Sequence, residues 1–378
     1  MSGEAIVARL AQGVSSFPAE DWDRCAGTAD PFVSHAFLAA LERSGSATTR
    51  AGWQPLPIAI DGADGAPDAV MPAYLKSHSM GEYVFDHGWA AAWERAGGSY
   101  YPKLQIAVPF TPVPGRRLLA RVPALAPALI AAAERVVEAH QLSSAHATFI
   151  AEAEVPLFGR AGWLIRADSQ FHWINQGFDS FDDFLATLSS RKRKMIRKER
   201  SAALEGLDVR LLSGPEISEA HWDAFWAFYQ DTGARKWGRP YLTRSFFSLL
   251  AERLGDNVLL VLALRGGRPI AGALNLIGAD ALYGRYWGCT EEVPYLHFEL
   301  CYYQAIEAAI ARGLARVEAG AQGAHKLARG YRPVPTWSAH YIADPSFRDA
   351  VARFLAAERG AVAREIEEME EFTPFRRG

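Results

Sequence analysis

A mixed α/β chain in two domains is predicted by the length of the chain, by the interleaving of strand-like and helical runs, and by the return of that order in the second half. At 378 residues the chain is about twice the size of a common single domain. Its apolar content, 49%, is ample for buried cores. The division is placed at residue 170, giving an N-terminal domain 1–170 and a C-terminal domain 171–378.

Elements follow in order. Helical spacing covers Ala36–Arg43, and strand-like runs at Leu56–Ile60 and Ala69–Lys76 flank the turn-rich Asp61–Pro67, which reads as a hairpin. Tyr83–Asp86, an exposed loop through Trp89 and Gly98, and the strand Leu104–Phe110 come next. The helix Leu125–His140 and the strand Ala147–Ala151 close the first half. In the second half a helix spans Phe181–Leu204 and strands occupy Val209–Leu212, Val258–Arg265, Ile270–Ile277 and Ala281–Trp287. Helix His297–Arg312 and strand Arg316–Glu318 then parallel Leu125–His140 and Ala147–Ala151. A faint match of Tyr83–Trp89 to Tyr283–Cys289 supports duplication of one mixed α/β unit. The tail Phe347–Glu371 reads as an acidic, solvated surface helix.

Charge and composition narrow the setting. A net charge of −3 gives the whole chain no pull toward nucleic acid or anionic lipid, so any such contact needs a local patch. Cys25, Cys289 and Cys301 have no zinc-like or disulfide-like spacing and read as buried free thiols, with no metal expected. The N-terminus lacks a basic segment followed by an apolar core, and the apolar run Val122–Val137 is broken by Pro123, Pro127, Glu134 and Arg135. No integral membrane segment is expected, and the chain reads as cytoplasmic.

Two segments concentrate chemistry. Seven Lys or Arg fall within the ten residues Arg191–Arg200, on a helix whose Phe184, Leu188, Met195 and Ile196 anchor the other face, which suits contact with phosphates as well as a merely solvated surface. Farther on, Gly320-Ala-Gln-Gly-Ala-His-Lys-Leu-Ala-Arg-Gly-Tyr-Arg332 sets glycines and positive charge after a short strand, without the spacing of a Walker loop. His297 and Glu299, where the helix opens, are candidate general bases, although a structural role is as ordinary for either.

The order strand, helix, short strand and Gly-rich basic loop over 283–337, with Arg193-Lys-Met-Ile-Arg-Lys198, resembles the FemAB-type acyltransferases of the GNAT superfamily. The resemblance implies two tandem GNAT-like domains. It implies Arg193 and Arg197 as donor-phosphate contacts and Lys326 as the cation that stabilises a tetrahedral intermediate. The match to the family's Phe-Lys-x-x-Phe is imperfect, since His325 replaces the aromatic and Arg-Gly-Tyr intervenes. Gly115, Arg116 and Arg117 look like a degenerate coenzyme A pyrophosphate turn, although Pro109, Pro112 and Pro114 remove donors. Asp86, His87, Trp89, Tyr101 and Lys103 form a candidate acceptor wall. Tyr286, Trp287, Tyr302, Gln322, His325 and Arg329 are further substrate-binding candidates.

The reaction implied is direct attack of an amine on an activated acyl group, since there is no Gly-x-Ser-x-Gly elbow and no cysteine with an evident histidine partner. No bound cofactor is expected. Acyl-CoA is the favoured co-substrate, because no long helical arm of the kind carried by tRNA-dependent relatives appears. Aminoacyl-tRNA stays open because of the basic stripe, with a small-molecule or cell-wall-precursor amine as acceptor. A non-catalytic module holding a glycan or peptide on its aromatics is the third reading.

Overall fold

The computed structural model describes residues 6–236, 240–320, 323–371 and 374–375. It has two compact units, Met1–Asp168 with Pro335–Ala363 and Ser169–Val334 with Arg364–Gly378. The expected split at 170 gave everything beyond it to the C-terminal domain, but Pro335–Ala363 returns to the first unit. The reason is strand pairing and burial: Trp337–Ile342 pairs with Ser144–Ile150 and packs Ala339 into the first core.

Fifteen strands are described: β1 Ala8–Leu10, β2 Trp53–Pro55, β3 Ile58–Asp61, β4 Pro67–Met71, β5 Ala73–Lys76, β6 Lys103–Ile106, β7 Leu119–Ala120, β8 Ser144–Ile150, β9 Leu164–Ile174, β10 Asp208–Ser213, β11 Val258–Arg265, β12 Arg268–Ile277, β13 Ala281–Cys289, β14 Arg316–Glu318 and β15 Arg332–Ile342. In the first unit β2, β5, β6, β8 and β15 lie side by side, and a small sheet runs β1-β3-β4-β7. The run Ala69–Lys76, expected as one strand, is two strands in different sheets, parted at Pro72, which cannot donate to a ladder. The single parallel step, β6 with β8, is bridged by the helix Ala126–Ala139. That helix buries Leu129, Ile130, Ala133 and Val137, the i, i+1, i+4, i+8 face its spacing predicts.

The second unit repeats the device. Its order is β10-β11-β12-β13-β14-β9, antiparallel except for β13 with β14. The bridge is helical from Leu296 to Ala311, with a π segment at Glu299–Tyr303. The helix expected over Phe181–Leu204 is two, Phe181–Thr187 and Ser190–Ala203. The apolar Leu188 turns extended between them and is fully buried.

Two expectations fail locally. The exposed loop through Trp89 is the helix His87–Arg95 with Trp89 buried, and the match of Tyr83–Trp89 to Tyr283–Cys289 is not structural, since it sets the start of that helix against strand β13. The helices Glu219–Lys236 and Arg244–Leu254 were not foreseen. The first packs so closely on β13 that a Cβ at Gly288 would stand 2.1 Å from the Phe228 carbonyl oxygen. Gly288→Ala is therefore expected to lower unfolding free energy by about 1–3 kcal/mol, read from urea denaturation midpoints; an unchanged midpoint contradicts that packing.

Candidate functional site

The parallel strands β13 and β14 stay together for only three residue pairs, Ala281–Tyr283 with Arg316–Glu318. Beyond them β13 continues to Cys289, paired with β12 alone. The register between β12 and β13 steps by one residue, since Leu274 faces Tyr286 while Asn275 faces Gly284, so Arg285 is the extra residue of a β-bulge. A bulge bends and twists its own strand, and this one comes just after the pairing with β14 ends. The groove that opens is about 100 Å³, lined among others by Asn275, Gly284, Arg285, Cys301, Tyr302 and Ala319. A second pocket of about 580 Å³ shares Trp287 and His297 with it and adds Cys289, Glu292, Val293 and Leu296.

Lys326 bonds to the groove wall at Ala319. It belongs to the short 3-10 turn Ala324–Arg329, is 2% exposed, and donates from Nζ to Ala319 O at 2.7 Å and Gly320 O at 2.8 Å. Among the described residues these are the only hydrogen bonds of its Nζ, leaving one N–H of the ammonium for a ligand. Burial lowers its pKa to about 8, with Arg285 adding like-charge repulsion against the partial relief from Cys301. An ammonium held there by two backbone carbonyls is a poised cation beside a cleft. His325 reaches Tyr302 OH through Nε2 at 2.9 Å, and burial, ahead of Arg329 and Lys326, lowers its pKa.

His297 borders both pockets, its ring 5.3 Å from those of Trp287 and Tyr302. Tyr286, Trp287 and Tyr302 line the groove with it. Glu299 does not join them. The π turn points it the other way, fully buried, where Arg200 donates to both its oxygens and Gln304 Nε2 donates at 2.7 Å. A carboxylate so committed is a brace, and it cannot take a proton from a substrate without losing its ion pair. Arg329 is a brace as well: it gives two bonds to Glu199 and one each to Tyr303 OH and His325 O, and covers the Phe298 ring at 3.5 Å. Both braces end on the helix Ser190–Ala203. The basic run thus has an inner edge, Glu199 and Arg200, that fixes the site wall, and an outer one. Arg197 lies on the outer edge, 59% exposed and paired with Asp182 at 2.8 Å, and Arg193 is half-buried. Gln322 lies outside the described residues.

The acceptor wall expected in the first half is a buried ion cluster. Lys103 is fully buried and donates to Ser79 Oγ and Glu82 Oε2 at 2.8 Å and to Asp86. Burial opposes ionisation of Asp86, yet Lys103 beside it holds that carboxyl below its usual range; Glu82, where burial prevails, is raised to about 7. Tyr100 OH donates to Asp86 and meets His146, which pairs with His340 at 2.7 Å. Trp89 packs its ring edge-on to His340 at 5.0 Å, Tyr101 bonds Ser79, and His87 alone of the group is exposed.

The presumed pyrophosphate turn is likewise occupied by its own chain. Gly115 N donates to Phe149 O, and the buried Arg117 guanidinium serves the carbonyls of Val113, Arg116 and Thr148. Glu154 takes the N–H groups of Arg117 and Leu118, and Arg116 caps the carbonyls of Ala26, Leu118 and Ala120. These donors are spent on backbone, which is why Gly115, Arg116 and Arg117 form a structural turn.

The family model for FemAB-like proteins, described as peptidoglycan biosynthesis/recognition, matches residues 13–377. The chain belongs to the FemAB-like family. Its fold is similar to that of FemX, at TM-score 0.56 and 13% identity over 91% of this chain and 100% of that one. A domain assigned as the C-terminal part of a lysylphosphatidylglycerol synthetase from Agrobacterium fabrum is similar at TM-score 0.56 and 10% identity, over 90% and 96% of the two chains. L-PGS from Bacillus licheniformis follows at 0.52 and 11%, over 87% and 98%. No curated protein sequence matches the chain. This FemAB-like protein falls in a family of peptidoglycan biosynthesis or recognition, and it shares the FemX fold along nearly its whole length. No described helix is long and apolar enough to cross a membrane.

Asn275, Arg285 and Cys301 were missed as groove residues. A signal existed for Asn275, the lone amide inside the apolar strand Ile270–Ile277. Two substitutions separate braces from chemistry. Lys103→Met strands two buried carboxylates and is expected to cost about 3–5 kcal/mol, as is Glu299→Ala, which strands Arg200 in part. Both are read by chemical denaturation, and a loss below about 1 kcal/mol contradicts the brace assignment.

Proposed function

We propose that this FemAB-like enzyme moves an acyl group from an acyl-CoA thioester to an amine, by direct attack in the groove between β13 and β14. The observation that carries this reading is the buried Lys326 ammonium, with one N–H uncommitted, bonded just past the end of β14 to the carbonyl of Ala319, which lines the groove. The acyl carbonyl lies in the groove with its oxygen toward Lys326 Nζ. As the amine adds, negative charge grows on that oxygen, and an ammonium already desolvated and held by Ala319 and Gly320 meets it without reorganising. The tetrahedral intermediate collapses by breaking the carbon–sulfur bond, and the thiolate leaves.

The amine enters from the larger pocket, past Trp287. Its proton passes to His297, whose ring borders both spaces and is placed to act as base. Glu299 takes no part. An aminoacyl-tRNA donor is the second reading, favoured by the exposed basic edge of the helix Ser190–Ala203. The acceptor in either case is the amine of a cell-wall precursor.

Lys326→Ala is expected to lower kcat by about 10²–10³-fold, the usual worth of one oxyanion contact, with acyl-CoA and a panel of amines followed by thiol release. The protonated lysine is the working form, so its part of the rate is full at neutral pH and falls as pH rises through about 8. That descending limb should vanish in Lys326→Ala. Free CoA, binding the native state alone, should also raise Tm. A wild-type rate unaffected by Lys326→Ala, or turnover with charged tRNA and none with acyl-CoA, overturns the reading.

A further inference from the structure

One buried polar atom of the groove has no partner in the chemistry above. Asn275 is 1% exposed and stands at the register step opposite Gly284. Its Nδ2 faces the carbonyls of Leu259 at 3.3 Å and Ala273 at 3.5 Å, which sets the amide with Oδ1 turned away from them. The residue lines the groove, and among the described residues nothing donates to that oxygen. Buried acceptors are almost always satisfied, by protein, water or ligand. Gly284 keeps the space beside it open, since a Cβ there would stand 3.5 Å from Asn275 Oδ1.

The charge of the walls says what kind of N–H fits. Arg285 lines the groove, Lys326 bonds to its wall at Ala319, and the two repel each other, so an ammonium brought to the groove meets repulsion while a neutral N–H does not. Carbonyl oxygens of the same ligand are drawn to both cations. The preferred ligand segment is therefore a neutral amide close to an activated carbonyl.

We propose that Asn275 is a donor-recognition residue whose Oδ1 accepts a hydrogen bond from a neutral amide N–H of a pantetheine-type thioester lying between β13 and β14. The proposal rests on the reading that this groove holds the acyl donor. It adds that the donor is read through an amide N–H, which separates a pantetheine thioester from an aminoacyl ester, whose nearest nitrogen is an ammonium. Asn275 is uncharged across the working pH range, so this contact does not titrate while Lys326 does.

The test compares acetyl-CoA with an analogue in which the amide N–H nearest the thioester is replaced by oxygen, on the full chain. Wild-type kcat/KM is expected to fall about tenfold, the worth of one neutral hydrogen bond, chiefly through donor KM. In Asn275→Leu the two donors should be equivalent, with acceptor KM unchanged. Equal use of the two donors by the wild-type enzyme overturns the inference and leaves the acyl-CoA reading standing, and this arm needs no variant to fold. The same discrimination in Asn275→Leu as in wild type overturns it too. Failure of the wild type to bind or use any acyl-CoA overturns the donor reading, and the inference with it.

Discussion

The bulge at Arg285 is the constraint on which the site depends. β14 is only three residues long, all of them paired with β13, and the extra residue on β13 comes just after that pairing ends. The strand bends, its pairing with β14 stops at Tyr283, and an open seam is left beside a helix. Backbone groups in such a seam need partners, and Lys326 supplies one set by turning its ammonium onto Ala319 and Gly320.

A seam is useful only if its walls hold still. The helical wall contains a π turn, which costs hydrogen-bond geometry but swings Cys301 and Tyr302 toward the groove and Glu299 away from it. Two buried ion pairs then fix that wall to the basic helix, Arg200 with Glu299 and Arg329 with Glu199. Buried pairs add little net stability, yet losing one partner is expensive, so they hold a single arrangement. The first unit uses the same logic at Lys103, Glu82 and Asp86, and its own parallel pair, β6 with β8, has the turn at Gly115–Arg117 bonded along the rest of β8. Both units keep the crossover, while the groove and Lys326 belong to the second unit.

Much of the fold was legible because it is written in local pattern. Val258–Arg265 and Arg316–Glu318 were read to the residue, and the two crossover helices to within a residue or two. The helix Glu219–Lys236 was not legible, since its Trp222, Phe225, Phe228 and Tyr229 carry strand-like propensity that packing overrides. Site residues divide along the same line. Lys326, singled out by resemblance of a contiguous motif, bonds to the groove wall, whereas Glu299, Arg329, Asp86 and Lys103, given candidate roles, are committed to buried partners. Those partners lie 99 residues away for Glu299 and 130 for Arg329, a distance no spacing rule spans. Charge in a sequence marks importance without saying whether a ligand or another side chain will answer it.

The central claim is that the donor lies between β13 and β14 with its carbonyl toward Lys326. A crystal structure with a non-hydrolysable acyl-CoA analogue tests it most directly. The account requires the acyl oxygen within hydrogen-bond distance of Lys326 Nζ and the chain of the donor along Gly284. A ligand bound elsewhere, with Lys326 still turned only to Ala319 and Gly320, contradicts it.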